Sequence, residues 1–313
     1  MRKPFTLSVV IPVHNEQSNV PELYRRLRLT LEALTDSYKI LYVNDGSSDG
    51  TLEALLAIQK QNARVEILDL ARNFGHQAAV AAGIDHAIGD AVVVMDGDLQ
   101  DPPEVISQFV ECWEKGYDVV YAVRKTRQEG MFKRLAYATF YRILRALADV
   151  DIPLDAGDFS LVDAKVVRAL RLLPERRRFI RGLRSWVGYR QIGVPYDRPG
   201  RYSGETKYTL SKLVHLATSG LVSFSKIPLR LSAYLGLLVS LVAFAAAILV
   251  IGLRVIAQVE PQGWTSLMVV VLFLGGIQMI TMGIIGEYVG YVLDEVKQRP
   301  TYIVGHRYTN SPE

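Results

Sequence analysis

Val92-Val93-Val94-Met95-Asp96-Gly97-Asp98-Leu99-Gln100 is the stretch that decides the fold: four apolar residues run straight into two carboxylates and an amide. Apolar β-formers that stop abruptly at charge read as a buried strand whose carboxyl end presents oxygen atoms at the rim of a sheet. In open α/β sheets that rim is where ligands bind. Asp96, Asp98 and Gln100 supply hard oxygen donors, which suit Mg2+ or Mn2+ completed by phosphate oxygens. The stretch therefore predicts a metal-assisted diphosphate site.

The flanking units repeat the plan. Leu7 to Ile11 is a strand running into Pro12-Val13-His14-Asn15-Glu16, followed by a helix with apolar residues at Val20, Leu23, Leu27 and Leu31. Ile40 to Val43 ends in Asn44-Asp45-Gly46-Ser47-Ser48-Asp49-Gly50, a loop rich in turn and capping residues. Val65 to Leu70 precedes Arg72-Asn73-Phe74-Gly75-His76 and an alanine-rich helix through His86. A helix to about Lys115 and a fifth strand, Tyr117 to Val123, follow the opening stretch. Strands alternating with helices predict a largely parallel, doubly wound α/β sheet.

The chain has 313 residues, half of them apolar, and a formal net charge of +4. That basic excess is too small to argue for nucleic acid, and no nucleic-acid partner is expected. The single cysteine, Cys112, excludes a disulfide framework and a Cys-rich zinc site, and reads as a small core residue beside Trp113. Met1 to Thr6 is basic but runs into a strand that Pro12 ends, too short for a signal peptide.

Past the fifth strand the pattern changes. Met131 to Ala148 interleaves aromatics with Lys133, Arg134, Arg142 and Arg145, which suits either a membrane surface or packing on the sheet. Asp163 to Leu173 reads as a helix, and Arg176, Arg177, Arg178, Arg181 and Arg184 read as lipid-headgroup contacts or solvated surface. Leu229 to Ile256 and Trp264 to Val292 each exceed the roughly 20 apolar residues that cross a bilayer. They predict two transmembrane helices joined by a short loop, with a basic amphipathic helix before them. Basic residues flank this hairpin on the side of the large domain, which assigns that domain and both termini to the cytoplasm. The expected organisation is a catalytic domain over residues 1–206, a juxtamembrane helix over 207–228, a hairpin over 229–292 and a tail over 293–313. Gly286-x-x-x-Gly290 permits close helix packing and hence a homo-oligomer.

Four motifs taken together carry a resemblance: Val10 to Glu16, Val43 to Asp49, Asp96 to Pro103, and Gly157-Asp158-Phe159. In this order, with the membrane hairpin, they resemble family-2 glycosyltransferases of the GT-A fold. More narrowly they resemble the polyprenyl-phosphate glycosyltransferases, which include dolichyl-phosphate mannose synthase and the GtrB-like enzymes. Gly286-Glu287-Tyr288-Val289-Gly290 and Asp294 to Pro300 match the two-span bacterial members.

The resemblance implies that Asp45 accepts a hydrogen bond from the base of a nucleotide-sugar donor, with Pro12, His14 and Glu16 lining the same pocket. Asp96 would face the ribose or the metal, while Asp98 and Gln100 would hold the cation. Asp158 matches the position assigned as general base. A lipid phosphate with its second pKa near about 6 is already mostly ionised at neutral pH, so Asp158 acts either as that base or as a positioning group. Two anionic substrates demand cations: Arg124 and Arg127 follow the fifth strand, and Arg201, Ser203 and Lys207 sit in a Gly-containing loop resembling the segment that closes over the acceptor phosphate.

The implied reaction is inverting transfer of one hexose to a polyprenyl phosphate at the inner leaflet, from UDP-glucose or alternatively from GDP-mannose or another UDP-sugar. A processive polysaccharide synthase is disfavoured because Gln-x-x-Arg-Trp is absent. A catalytically silent membrane scaffold or nucleotide-sugar sensor is the alternative of another class.

Overall fold

The computed structural model describes residues 4–124, 156–176, 178–197, 227–256 and 263–309. The expected basic helix over 131–148, most of the juxtamembrane segment over 207–228, and Arg127, Arg177, Arg201, Ser203 and Lys207 lie outside them. The chain divides into one unit of Met1–Val214 with Pro300–Glu313 and a second of His215–Arg299.

In the first unit, β1 (Thr6–Val13), β2 (Ser37–Asn44), β3 (Val65–Leu70) and β4 (Ala91–Val94) are mutually parallel. They are linked by α1 (Val20–Leu34), α2 (Thr51–Gln61) and α3 (His76–His86). Buried on both faces, these strands read as continuous apolar runs, which is why the sequence locates them. Gly83 lets α3 lie close on the sheet, since a Cβ there would collide with the Val10 side chain. A 3-10 turn (Pro103–Val105) and α4 (Ile106–Glu114) then lead to β5 (Val119–Arg124). Trp113 packs edge-on to Phe5, and Cys112 packs against the same core.

The later strands depart from the doubly wound expectation. β6 (Ala156–Asp163) inserts antiparallel between β4 and β5, and β7 (Gln191–Tyr196) extends the sheet parallel to β5. At the other edge β8 (Val304–Tyr308), close to the C-terminus, pairs antiparallel with β3. The full order is β7-β5-β6-β4-β1-β2-β3-β8. Between β6 and β7 lie α5 (Ala164–Leu172), whose N-cap Asp163 accepts from the Lys165 amide, and α6 (Ile180–Trp186).

The second unit holds two long apolar helices, α7 (Ile227–Ile256) and α8 (Trp264–Val296). Within α8, Val269–Val296 is long and apolar enough to cross a membrane; within α7 the described apolar stretch is the shorter Ser232–Ala246. Large side chains such as Phe244, Leu249, Phe273 and Met279 are exposed along them.

Candidate active site

Because β1, β2, β3 and β4 run the same way, their carboxyl ends share one rim, and every N-terminal motif falls there. The loops after β1 and β2 are tied together: the Asp45 amide donates to the Val13 carbonyl at 2.9 Å, and the Ser48 amide to Asn15 Oδ1 at 2.8 Å. The His14 ring nitrogen Nδ1 lies 2.9 Å from the Asp45 carbonyl, and Asn19 donates to Glu16 Oε2 at 2.6 Å. Asp45 is buried, and its carboxylate accepts the backbone amides of Phe74 at 2.7 Å and Gly75 at 3.0 Å. Gly46 makes this approach possible. Its φ of +59° suits glycine, and a Cβ there would stand 2.5 Å from the Arg72–Asn73 backbone.

The loop after β4 is fixed from within. Asp98 accepts the Gln100 amide at 3.1 Å, and the buried Asp101 accepts the Asp96 amide at 3.4 Å and the Tyr196 hydroxyl at 2.9 Å. Leu99 is buried at a φ of 61°, a left-handed conformation that a branched side chain keeps only where its surroundings impose it. The result holds the partly exposed Asp96, Asp98 and Gln100 in one short turn.

Antiparallel register brings in Asp158. Val94 pairs with Ser160, so the residues before Ser160 continue past the end of β4 toward Asp96. Asp158 Oδ2 lies 3.3 Å from His76 Nε2, 3.1 Å from Gln77 Nε2 and 3.4 Å from an Arg181 nitrogen. His76 also stands 3.6 Å from Asp96, and so bridges the two carboxylates that the sequence places 62 residues apart. Behind them Arg184 is 1 % exposed, stacked over Tyr121 and hydrogen-bonded to the Gly157 carbonyl at 3.4 Å.

These contacts set the charges. Burial works against charge on His76, but its hydrogen bond to Asp158 and the charges of Asp96 and Asp158 win and lift its pKa to about 9. Burial would raise Asp158, yet Arg181, His76 and Arg184 outweigh it and hold the carboxyl far below the usual carboxylate range. Burial lowers Arg184 to about 10, which leaves it charged at neutral pH. A carboxylate this acidic is a poor proton acceptor and a firm hydrogen-bond acceptor. Its Oδ1 is buried without a hydrogen-bond partner among the described residues.

His76, Gln77, Arg181 and Arg184 are site residues that sequence reasoning missed. The arginine run corrects the expectation of headgroup contact or solvated surface. Arg184 is in the core, Arg181 faces Asp158, and Arg178 Nη1 donates to both oxygens of Asp85, at 2.8 and 2.9 Å. The available signal was spacing: Arg181 and Arg184, three apart, fall on one helix face. Arg124 ends β5, whose parallel partnership with β7 and antiparallel pairing with β6 place its backbone at the same rim.

Among the described residues no three His, Cys, Asp or Glu side chains cluster closely enough to cage a metal. Two carboxylates and an amide on one turn nevertheless fit a hard cation whose remaining ligands are phosphate oxygens, the usual division of labour for Mg2+.

Comparison with known proteins fits this geometry. The chain is 45% identical over 309 residues to the uncharacterized glycosyltransferase YkcC of Bacillus subtilis, covering 98% of this chain and 96% of that one. It is 39% identical over 307 residues to the bactoprenol glucosyl transferase of Shigella phage SfII, covering 98% and 99%. A mannosyltransferase from Pyrobaculum calidifontis, solved with GDP-mannose and Mn2+, shares the fold with a TM-score of 0.51 at 16% identity, over 95% of this chain and 87% of that one. The Glycosyl transferase family 2 model matches residues 8–171, from the first strand through α5, and the chain belongs to that family.

Proposed function

We propose that this transferase moves a single hexose, glucose from UDP-glucose, onto the phosphate of a polyprenyl phosphate at the cytoplasmic leaflet, with inversion at the anomeric carbon. The observation that carries the reading is the meeting of Asp96 and Asp158 across His76 at the carboxyl rim of the sheet. The near full-length likeness to a phage bactoprenol glucosyl transferase supports glucose and a polyprenyl acceptor in particular. In this reading Asp45, Pro12, His14 and Glu16 seat the nucleotide, and Asp96, Asp98 and Gln100 hold Mg2+ or Mn2+. When bound, that ion neutralises the leaving diphosphate. Arg124, Arg127, Arg201, Ser203 and Lys207 receive the phosphates. Asp158, held ionised, orients the hexose by accepting a hydrogen bond, and an acceptor phosphate already ionised attacks without a base.

The acceptor requires a membrane, and chain topology supports a two-span anchor. The chain leaves the sheet after Tyr196 and returns at Val304 to the same folded unit. Any crossings in between are therefore even in number. If α8 crosses, α7, at 30 residues, is the segment to cross back. Both termini then lie with the catalytic domain on the cytoplasmic side of the inner membrane.

The test is to incubate the purified full chain with Mg2+, undecaprenyl phosphate and a panel of radiolabelled nucleotide sugars. A lipid-linked glucose from UDP-glucose is expected. A product from GDP-mannose or another UDP-sugar alone would replace the donor, and no product from any donor would overturn the reading.

A further inference from the structure

The family match ends at residue 171, yet the two arginines that act on Asp158, Arg181 and Arg184, come from beyond it. They belong to the segment Arg176–Arg184, which is fastened at both ends. At its far end the Thr301 hydroxyl donates to the Arg176 carbonyl at 3.2 Å. Asp85, at the close of α3, takes Arg178 on both oxygens and also the Tyr302 hydroxyl at 3.1 Å. Tyr302 further packs edge-on to His86, with ring centroids 6.0 Å apart. At the near end the Ile180 amide donates to Gln77 Oε1 at 3.2 Å, and Gln77 in turn donates to Asp158. One residue on, Arg181 reaches Asp158 itself.

The arginine segment is thus clamped between Asp158 and the residues that lead into β8, Thr301 and Tyr302. Arg178 and Asp85 are 16% and 22% exposed, so this node is mostly shielded from competing water. A hydrogen bond to such a charged pair fixes geometry more firmly than one at the surface.

We propose that Tyr302, acting through Asp85 and Arg178, is a positioning residue for Asp158, so that the C-terminal tail sets the geometry of a site to which it contributes no substrate contact. The proposal rests on the assignment of Asp158 to the active site. It adds that the segment after the apolar helices is a working part of the catalytic domain rather than a trailing end.

The test compares two full-length variants that loosen the segment 301–308 at different places, Tyr302 just before β8 and Arg307 within it. Tyr302→Phe removes the hydroxyl at the Asp85 node. Arg307→Ala removes the tie from β8 to Glu66, made at 3.0 Å, and leaves the node intact. Tyr302→Phe is expected to lower kcat about 3- to 10-fold at unchanged KM for the nucleotide sugar, the range of coupling carried through such networks. Amide hydrogen exchange across 176–184 should quicken in the same variant. Arg307→Ala should lower Tm while leaving kcat and that exchange unchanged. Asp85→Asn, which weakens the node from the other side, should reproduce the Tyr302→Phe pattern and serves in its place if that variant does not fold. Equal losses of kcat in the Tyr302 and Arg307 variants, a change in KM alone, or wild-type kcat in Tyr302→Phe would overturn the proposal. Should the wild-type chain transfer no sugar, the proposed function fails instead. The exchange readout then decides separately, with unchanged protection across 176–184 in Tyr302→Phe counting against the strap.

Discussion

Asp45 and Asp158 are both buried carboxylates at one rim, and they are held in opposite ways. Asp45 is gripped by two backbone amides from the Phe74–Gly75 turn. Asp158 is surrounded by side-chain cations, His76, Arg181 and Arg184. Backbone donors fix position and cannot change charge, so Asp45 locks a loop in place. Side-chain cations hold a charge, and each is removable by a single substitution. In the proposed reading the nucleotide side of the site is therefore rigid by construction, whereas the transfer side is held by electrostatic balance.

The largest effect separates the turn proposed to hold the metal, Asp96 to Gln100, from Asp45 and Asp158. Chelation with EDTA should reduce transfer to background, with Mg2+ or Mn2+ restoring it; activity that survives EDTA would remove the metal role from Asp96, Asp98 and Gln100. Next, Asp158→Asn should lower kcat by about 10²–10³, the scale of losing one preorganised electrostatic group. The sign of its pH dependence follows from the depressed pKa. Asp158 stays ionised until the pH falls well below the usual carboxylate range, so its own protonation contributes no limb near neutrality. Wild type should accordingly show no acid-side limb from Asp158, whereas in Asp158→Asn the hydrogen bond and charge that lift His76 to about 9 are lost and any basic-side limb from His76 moves to lower pH. An acid-side fall present in wild type and lost in the variant would make Asp158 the general base.

Asp45→Asn tests the rigid side. An amide can accept only one of the two backbone bonds and turns an N–H toward the other, a cost of about 1–3 kcal/mol. A lower Tm and a higher KM for the nucleotide sugar, with kcat little changed, are expected; a fall in kcat alone would erase the distinction between the two carboxylates. The smallest effect is a control on ion pairs. Arg26 and Glu104 make two hydrogen bonds at 2.9 and 2.7 Å, but both side chains are partly exposed. Arg26→Ala should cost about 0.5 kcal/mol by denaturant unfolding, less than any change at the buried Asp158 cluster.

The parallel half of the fold was legible because buried strands are apolar runs and their ends carry the polar motifs. The later strands were not. Gly157-Asp158-Phe159 carries a motif, but no strand is predicted over Phe159 to Val162, since nothing local says that β6 will insert antiparallel between β4 and β5. Gln191–Tyr196 and Val304–Tyr308 are short strands that carry Pro195 and Arg307, and their pairing partners lie far away in sequence. The same locality limited the site. Asp158 and the Asp96 turn could be named from motifs, but Arg184 looked like one charge in a basic run. Its burial is made tolerable by partners that tertiary structure brings to it, the Asp158 charge, the Gly157 carbonyl and the Tyr121 ring.

The edge strand β8 also fixes an order of events during synthesis. Arg307 and its partner Glu66 are 241 residues apart, with both apolar helices made between them. Closing so long a loop adds little to the equilibrium cost, because loop entropy grows only with the logarithm of length. It does impose a delay. Until Val304–Tyr308 leave the ribosome, β3 presents an open edge, the kind of surface that recruits strands from other chains. Synthesis of the apolar helices therefore precedes completion of the sheet, and a chain stopped a dozen residues early would carry every motif of the proposed site on a domain whose edge never closes.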